Sequence, residues 1–468
     1  MMPNATSGDH LPCLPSYSLT PLPSIVPGIS DQLLALLLPI AAYWIVSTGF
    51  HILDVYDIWS QYRLHTPAEV LKRNHVTRGE VVKDVVLQQT IQTVFGLAIG
   101  MLDPVEMTGK QFYDIATWAR RIRVLQSYIP KVLALFGVDA IELGKNLMST
   151  HPTAAGLFLG GRYPHLVQDV ISADGQKVRM PAFGSGEMWA AQLIYWVLIP
   201  ALQFGVAIFI VDTWQYFLHR AMHMNKWLYT TWHSRHHRLY VPYAYGALYN
   251  HPMEGFILDT LGTGIAYLVT GMTTRQGMWF FTCSTIKTVD DHCGYAFPWD
   301  PLQHITSNNA AYHDVHHQSW GIKTNFSQPF FTFWDRILGT AWSGGDVSAR
   351  YERARIAAQK KMYEQSKGKE SSIVNSAALD RRRALHQATV SQQQVLEDEA
   401  HGGQRVIEEE QLEEQLEERE MRQKLRRSSR RKTGSFDPKS DGLWNLTGRM
   451  TNGLHGRSTA ILHTDGRH

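Results

Sequence analysis

The chain has 468 residues, a length typical of two or three domains. Its formal net charge of +3 is too small to favour nucleic acid as a partner, and three cysteines do not make a disulfide framework. The mean hydropathy of −0.22 averages an apolar core with a very polar C-terminal part.

The N-terminal part of the chain predicts a leader followed by a membrane span. Residues 1–30 contain no Lys or Arg and six prolines, which indicates an irregular leader and not a signal peptide. Residues 31–53 are long and apolar enough to cross a bilayer, although a buried soluble helix is the alternative. Residues 54–80 contain four Lys and Arg residues, so we expect them in the cytosol and the N-terminus in the lumen.

Further apolar segments predict additional membrane elements. Residues 82–102 form a weaker second span, whose glutamines favour contact with other helices over contact with lipid. Residues 104–188 are mixed, and part of them is basic and amphipathic, as in segments that lie on a membrane surface. Residues 189–218 predict a crossing helix that runs into His219. Residues 255–289, interrupted at 270–277, predict a tilted or re-entrant hairpin.

The composition changes sharply after Trp342. Residues 346–468 have few aromatic residues and many charges, which predicts a cytosolic tail that is partly helical and largely disordered. The basic stretch near residues 424–435 is a candidate phosphorylation site or lipid contact. We therefore predict a catalytic domain at 31–345 and a tail that is dispensable for its chemistry.

Eleven of the 22 histidines lie between residues 219 and 317. Most of them form the groups HRAMH, HSRHH and HDVHH, and a further one lies in DDHCGY. In HxxxH the two rings project from one helix face, one turn apart. Nine grouped histidines exceed the ligand set of a single metal and are enough for two. These candidate ligands are His219, His223, His233, His236, His237, His292, His313, His316 and His317.

Some neighbouring residues allow more than one interpretation. Asp212 precedes His219 by seven residues on the same helix face, as either a carboxylate that orients an imidazole or a solvated side chain. Cys293 is either a thiolate ligand or a buried spectator. His251 and His304 lie outside the groups, so we leave them out of the ligand set.

The three histidine groups, spaced between apolar helices, resemble the membrane-bound fatty acid hydroxylase and sterol desaturase superfamily. The stretches VDTWQYFLHRAMHMNKWLY, KTVDDHCGYAFPWDP and NNAAYHDVHHQSWGIKTNFSQPFFTFWDRILGT resemble its fungal sphinganine 4-hydroxylases. The resemblance covers roughly residues 30–345. It implies an all-α, polytopic membrane helix bundle with a cytosolic, histidine-rich cap that holds two metals. Ala296 departs from the pattern, which usually has a histidine there.

The resemblance also implies the chemistry. It implies two iron ions and O2, used to hydroxylate carbon 4 of sphinganine or dihydroceramide at the endoplasmic-reticulum membrane. Electrons come from NAD(P)H through cytochrome b5 and its reductase. These are separate proteins here, because the haem-binding motif HPGG is absent. Glu254 and Asp259 are candidates to pair with the substrate ammonium, with a helix-surface or ligand-orienting role as the alternative.

Two other functions remain open from the sequence. One is a sterol methyl oxidase or desaturase of the same superfamily, and the other is a membrane scaffold that only binds metal. The chain has no HExxH, GxSxG, Walker loop or Rossmann glycine motif, so zincin, serine hydrolase and nucleotide chemistry fit worse.

Overall fold

The computed structural model describes residues 11–101, 104–171 and 176–371. Most of these residues are helical. The α-helices are Asp31–Val55, Pro67–Arg73, Arg78–Gly100, Gln111–Gln126, Ile129–Leu135, Ala140–Leu147, Pro152–Phe158, Ser185–Leu193, Ile199–Met224, Lys226–Thr231, Pro252–Gly255, Gly262–Thr270, Thr274–Asp291, Leu302–Ile305, Ala310–His317, Phe333–Leu338 and Ser348–Ser371. Short 3-10 turns at Ser60–Tyr62, His233–Arg238 and Ala244–Leu248, and π turns at Ile194–Leu198 and Phe256–Leu261, connect them.

Two helical stretches within the described residues are long and apolar enough to cross a membrane by themselves. They are Asp31–Val55, with a mean hydropathy of 1.9, and Ser185–Met224, with 2.2. Only 22% and 11% of their most apolar windows are buried inside the protein, so their apolar side chains face outward, as lipid contact requires. The predicted apolar segments at 31–53 and 189–218 are therefore confirmed as long apolar helices.

The other predicted membrane segments have a different outcome. The helix Arg78–Gly100 is not apolar enough to count as a span, because polar and charged side chains interrupt it. The pair Gln111–Leu135 and Ala140–Leu147 bends by 117° and has the composition of a broken span or re-entrant loop. Residues 255–289 do form a helical hairpin, whose turn uses Gly271 in the left-handed region at φ +60°.

One of two compact units comprises residues 11–43, 89–101, 104–171, 176–214 and 259–286 of the described chain. A buried cluster of Ala207, Val211, Ala266 and Phe280 packs the spanning helix against the hairpin. The all-α prediction missed two small sheets in this unit. Thr20–Pro21 pairs with Met107–Thr108, and Val167–Ile171 pairs antiparallel with Lys177–Pro181. Val and Ile residues in the second pair favour strands.

The second unit comprises residues 44–88, 215–258 and 287–371 of the described chain. All nine candidate ligands belong to it. Part of its core is formed by Cys293, Tyr295, Phe297 and Ala310. Val347 and Tyr351 pack with Trp320 and Trp342, so the first turn of the predicted tail contacts this core. Residues 372–468, with most of the predicted tail and its basic stretch, lie outside the described residues.

Candidate metal centre

The first histidine pair lies at the end of the long apolar helix. His219 and His223 occupy the last turns of Ile199–Met224, one turn apart as the HxxxH spacing predicts. The helix ends where Asn225 caps the next one by accepting hydrogen bonds from the backbone of Trp227 and Leu228.

The remaining histidines come from three further segments. HSRHH forms the 3-10 turn His233–Arg238. His292 directly follows the helix Thr274–Asp291. HDVHH lies in the helix Ala310–His317, which Asn309 caps through the backbone N–H of Tyr312. All nine candidate side chains are buried.

The nine rings form two adjacent clusters, in each of which one ring nitrogen per histidine lies within 4.8 Å of the others. In the five-histidine cluster, neighbouring Nε2 atoms are 2.7 to 3.2 Å apart. In the four-histidine cluster, they are 3.0 to 3.5 Å apart. The rings of His237 and His317, one from each cluster, have their centroids 4.9 Å apart. The five-histidine cluster is His219, His223, His233, His237 and His316; the four-histidine cluster is His236, His292, His313 and His317.

Backbone carbonyls fix the orientation of five of these rings. A carbonyl oxygen only accepts, so the ring nitrogen that faces it carries the proton. The donors are Nδ1 atoms and the distances are 2.7 to 3.0 Å. The pairs are His219 with Phe326, His236 with Tyr249, His292 with Thr288, His316 with Thr324 and His317 with Leu239. In a neutral ring the Nε2 atom then carries the lone pair and is available to a metal.

A sixth ring is held by a carboxylate. Nδ1 of His233 lies 2.5 Å from Oε1 of Glu254, and both side chains are buried. Burial lowers the pKa of His233 to about 3 and that of His236 to about 4, so both rings are neutral at pH 7. Burial also raises the pKa of Glu254 to about 7. This contact favours the ligand-orienting role of Glu254 over pairing with a substrate ammonium.

This arrangement fits metal cations. Three rings in each cluster have their Nδ1 proton assigned, so their Nε2 lone pairs point at one another and repel unless a cation lies between them. When two nitrogens each lie about 2.1 Å from one metal, and the nitrogen–metal–nitrogen angle is between a right angle and the tetrahedral angle, the nitrogens are about 3.0 to 3.4 Å apart. The observed separations are close to this range. Nε2 of His316 is buried and has no hydrogen-bond partner, as expected for an atom that awaits a metal.

The other residues singled out from the sequence lie elsewhere. Within the described chain, His251, His304 and Cys293 belong to neither cluster. Nδ1 of His251 accepts the backbone N–H of Met253, while Sγ of Cys293 is in contact with Tyr295 and Gln303. Burial raises the pKa of Cys293, which favours the spectator interpretation. Asp212 is buried, and its orienting role stays a prediction.

The four-histidine cluster has one ring fewer than the five-histidine cluster, and Ala296 supplies no ligand to it. The backbone N–H of Ala296 donates a hydrogen bond to the carbonyl of Tyr62, so Ala296 pairs through its backbone with a distant segment of the same chain. His236, the middle histidine of HSRHH, turns away from its neighbours in the five-histidine cluster and joins His292, His313 and His317. A 3-10 turn, tighter than an α-helix, allows adjacent rings to serve different clusters.

Sequence reasoning missed the carboxylates that support these segments. Asp335 is fully buried and accepts hydrogen bonds from the backbone N–H groups of Phe326 and Ser327 and from the hydroxyl of Tyr312. It thereby holds the loop whose Phe326 carbonyl orients His219. The FWDRILGT stretch contained this residue, but its partners are set by tertiary structure alone.

Known proteins share these sequence features. The profile of the fatty acid hydroxylase family matches residues 204–340. The sphingolipid C4-hydroxylase of Saccharomyces cerevisiae is 42% identical over 344 residues, which cover 74% of this chain and 81% of the yeast protein. The sphingolipid C4-hydroxylase of Schizosaccharomyces pombe is 41% identical, with 65% of this chain and 87% of the relative covered.

A plant relative matches over a similar length. Sphinganine C4-monooxygenase 2 of Arabidopsis thaliana is 38% identical over 312 residues, which cover 67% of this chain and 88% of the relative. No solved structure matches the chain at a significant level. The resemblance seen in the histidine groups and their flanking stretches is confirmed, and the chain belongs to the fatty acid hydroxylase family, alongside its sphingolipid C4-hydroxylases.

Proposed function

We propose that this protein is a monooxygenase that hydroxylates carbon 4 of sphinganine or dihydroceramide, with two iron ions held by the nine clustered histidines. The observation that carries the proposal is the pair of adjacent nitrogen-rich clusters in a chain whose relatives are named for C4 hydroxylation. Nitrogen-rich ligation also sets this centre apart from the carboxylate-rich di-iron bundles of soluble proteins.

The substrate is a long-chain sphingoid base or its ceramide. The relatives are named for sphingolipid and sphinganine C4 chemistry, and the matched region covers more than four fifths of each. In the overall reaction one oxygen atom of O2 enters the C–H bond at carbon 4 and the other leaves as water. Two electrons and two protons come from a reduced donor, for which we propose cytochrome b5 and its NAD(P)H-dependent reductase.

The residues of this chain would bind the iron ions and fix the orientation of the ligand rings. Bound iron would supply the redox chemistry with O2 that breaks an unactivated C–H bond, which side chains alone lack. Backbone carbonyls and Glu254 fix six of the nine rings, so the ligands keep one tautomer and one direction. Burial keeps the rings neutral, so protons do not compete with metal for the lone pairs.

The protein is a multi-pass protein of the endoplasmic-reticulum membrane, with the histidine clusters on the cytosolic side. Support comes from the two long apolar helices and from the contrast between the leader, which has no Lys or Arg, and residues 54–80, which have four. HRAMH lies at the C-terminal end of the second apolar stretch, where a membrane boundary is expected. A cytosolic site would be accessible to the proposed electron donor.

The test is a turnover assay with matched histidine variants. Membranes that contain the full-length protein are supplied with sphinganine, NAD(P)H and cytochrome b5, and phytosphingosine is measured by mass spectrometry. We expect His316→Ala to abolish the product because it removes a buried ligand, and the exposed His304→Ala to leave most activity. If His316→Ala keeps normal turnover and normal iron content, the ligand assignment is wrong. A wild-type protein that oxidises a sterol but not sphinganine would refute the substrate assignment.

A further inference from the structure

Asp314 lies within HDVHH but belongs to neither histidine cluster. It is buried on the helix Ala310–His317, which supplies three of the nine histidines. Its carboxylate accepts hydrogen bonds from Nε2 of His65 at 3.0 Å, from the hydroxyl of Tyr351 at 2.7 Å and from Nε2 of Gln318 at 3.2 Å. Two of these three donors, His65 and Tyr351, come from distant segments of the chain, and Gln318 directly follows the ligand helix.

The donor His65 is itself held from its other side. Its Nδ1 atom lies 3.0 Å from Oε1 of Glu69, which also completes the capping box of the helix Pro67–Arg73. Both ring nitrogens of His65 face carboxylates, so both carry protons and the ring is an imidazolium. Burial alone would lower the pKa of His65, but Asp314 and Glu69 together raise it to about 9.

The donor Tyr351 comes from the first turn of the helix Ser348–Ser371, beyond the predicted catalytic domain. Its ring packs edge-on against His65, with the centroids 5.1 Å apart, and lies 6.3 Å from the ring of Trp320. The composition of residues 346–468 gave no sign of this contact. The start of the C-terminal segment therefore contacts the same carboxylate as His65, which lies just before the helix Pro67–Arg73.

Helix geometry connects this network to the metal centre. Successive residues of an α-helix are about 100° apart around the axis, so Asp314 lies about 60° from His317 and about 160° from His316. His65 and Tyr351, which come from other segments of the chain, hold this carboxylate and thereby fix both the rotation and the height of the helix. A shift of one helix then moves His313, His316 and His317 together, in both clusters.

We propose that Tyr351 and His65 are positioning residues, which act through Asp314 to hold the helix Ala310–His317 in the geometry that both metal sites require. The start of the C-terminal segment is thus a working part of the catalytic domain. This inference rests on the proposed metal centre. It adds Tyr351, which lies outside the predicted catalytic domain at 31–345. Removing one donor to a buried carboxylate weakens its whole network.

The test compares Tyr351→Phe with Tyr363→Phe in the full-length protein. The first change removes only the hydroxyl that contacts Asp314. The second removes an exposed hydroxyl from the same helix. Co2+ affinity of the purified, metal-depleted protein is measured by its absorption bands, together with turnover per bound iron and the thermal unfolding temperature. We expect Tyr351→Phe to lower Co2+ affinity and turnover about tenfold each, equivalent to about 1.4 kcal/mol, and Tyr363→Phe to change neither.

Each alternative outcome is informative. If Tyr351→Phe lowers the unfolding temperature while Co2+ affinity and turnover stay at wild-type values, the hydroxyl is only structural and the inference is overturned. Equal losses in both variants would also overturn it. If the wild-type protein makes no phytosphingosine but Tyr351→Phe still weakens Co2+ binding, the proposed substrate fails while the positioning role stands.

Discussion

The contact between Glu254 and His233 gives the sharpest single-residue prediction. Both side chains are buried, and Oε1 lies 2.5 Å from Nδ1. Glu254→Leu would leave the Nδ1–H of His233 buried without an acceptor, which costs about 1 to 3 kcal/mol. Loss of such an outer partner of a metal-bound histidine typically lowers metal affinity or activity about 10 to 100-fold. Glu254→Gln keeps an oxygen acceptor, so we expect a loss of less than about tenfold.

The assay is a Co2+ titration of the metal-depleted, full-length protein against a competing chelator. Because His233 belongs to the five-histidine cluster, Glu254→Leu should weaken one of two binding steps and leave the other near its wild-type value. Hydroxylation of sphinganine should fall in parallel. If Glu254→Leu binds two Co2+ ions with wild-type affinity, or weakens both steps equally, the carboxylate does not act through His233 as described.

Three further predictions concern pH, topology and the C-terminal segment. His65 has a pKa of about 9 in the folded protein against about 6.5 when unfolded, so its protonation stabilises the fold by about 3 kcal/mol below pH 6.5, and this stabilisation is lost as the pH rises through 9. The unfolding temperature should therefore fall more steeply with pH in the wild type than in His65→Gln. Equal slopes would contradict an imidazolium that faces Asp314, Glu69 and Arg73. A tag at residue 2 should resist protease in sealed microsomes, because the proposed topology places the leader in the lumen; digestion without detergent would contradict that topology. A chain that ends at residue 371 should keep its iron and its turnover per iron, whereas one that ends at residue 347 should lose both because it lacks Tyr351. Equal activity of the two chains would support the domain end at residue 345 that the composition predicted.

The sequence was informative where local chemistry decides structure. Two apolar stretches became the helices Asp31–Val55 and Ser185–Met224, because a bilayer requires length and hydropathy that can be read along the chain. The HxxxH spacing predicted that His219 and His223 share a helix face, and the nine chosen histidines are the nine that cluster. His304 and His251, which lacked such spacing, lie apart from them.

The sequence was less informative where distant segments decide the outcome. The assignment of His236 and His237 to different clusters depends on a 3-10 turn and on the carbonyl of Tyr249, which orients His236. Glu254 had three possible roles until its contact with His233 selected one. Tyr351 is separated by 37 residues from Asp314, and His65 by 249, so no local pattern pairs them.

The strands Val167–Ile171 and Lys177–Pro181 show a related limit. Their residues pair with each other, whereas no strand was predicted within the mixed segment 104–188. The helix Arg78–Gly100 corresponds to the predicted weaker second span at 82–102. It is long enough to cross a membrane, but its composition is too polar for a span.

The most direct test of the central claim is hydroxylation of sphinganine under isotopically heavy O2. Membranes that contain the wild-type protein, supplied with NAD(P)H and cytochrome b5, should yield phytosphingosine with one heavy oxygen at carbon 4, and no such product should form with His316→Ala. Product whose new oxygen comes from water, or no phytosphingosine from a protein that has bound its iron, would contradict an O2-dependent hydroxylase built on the two histidine clusters.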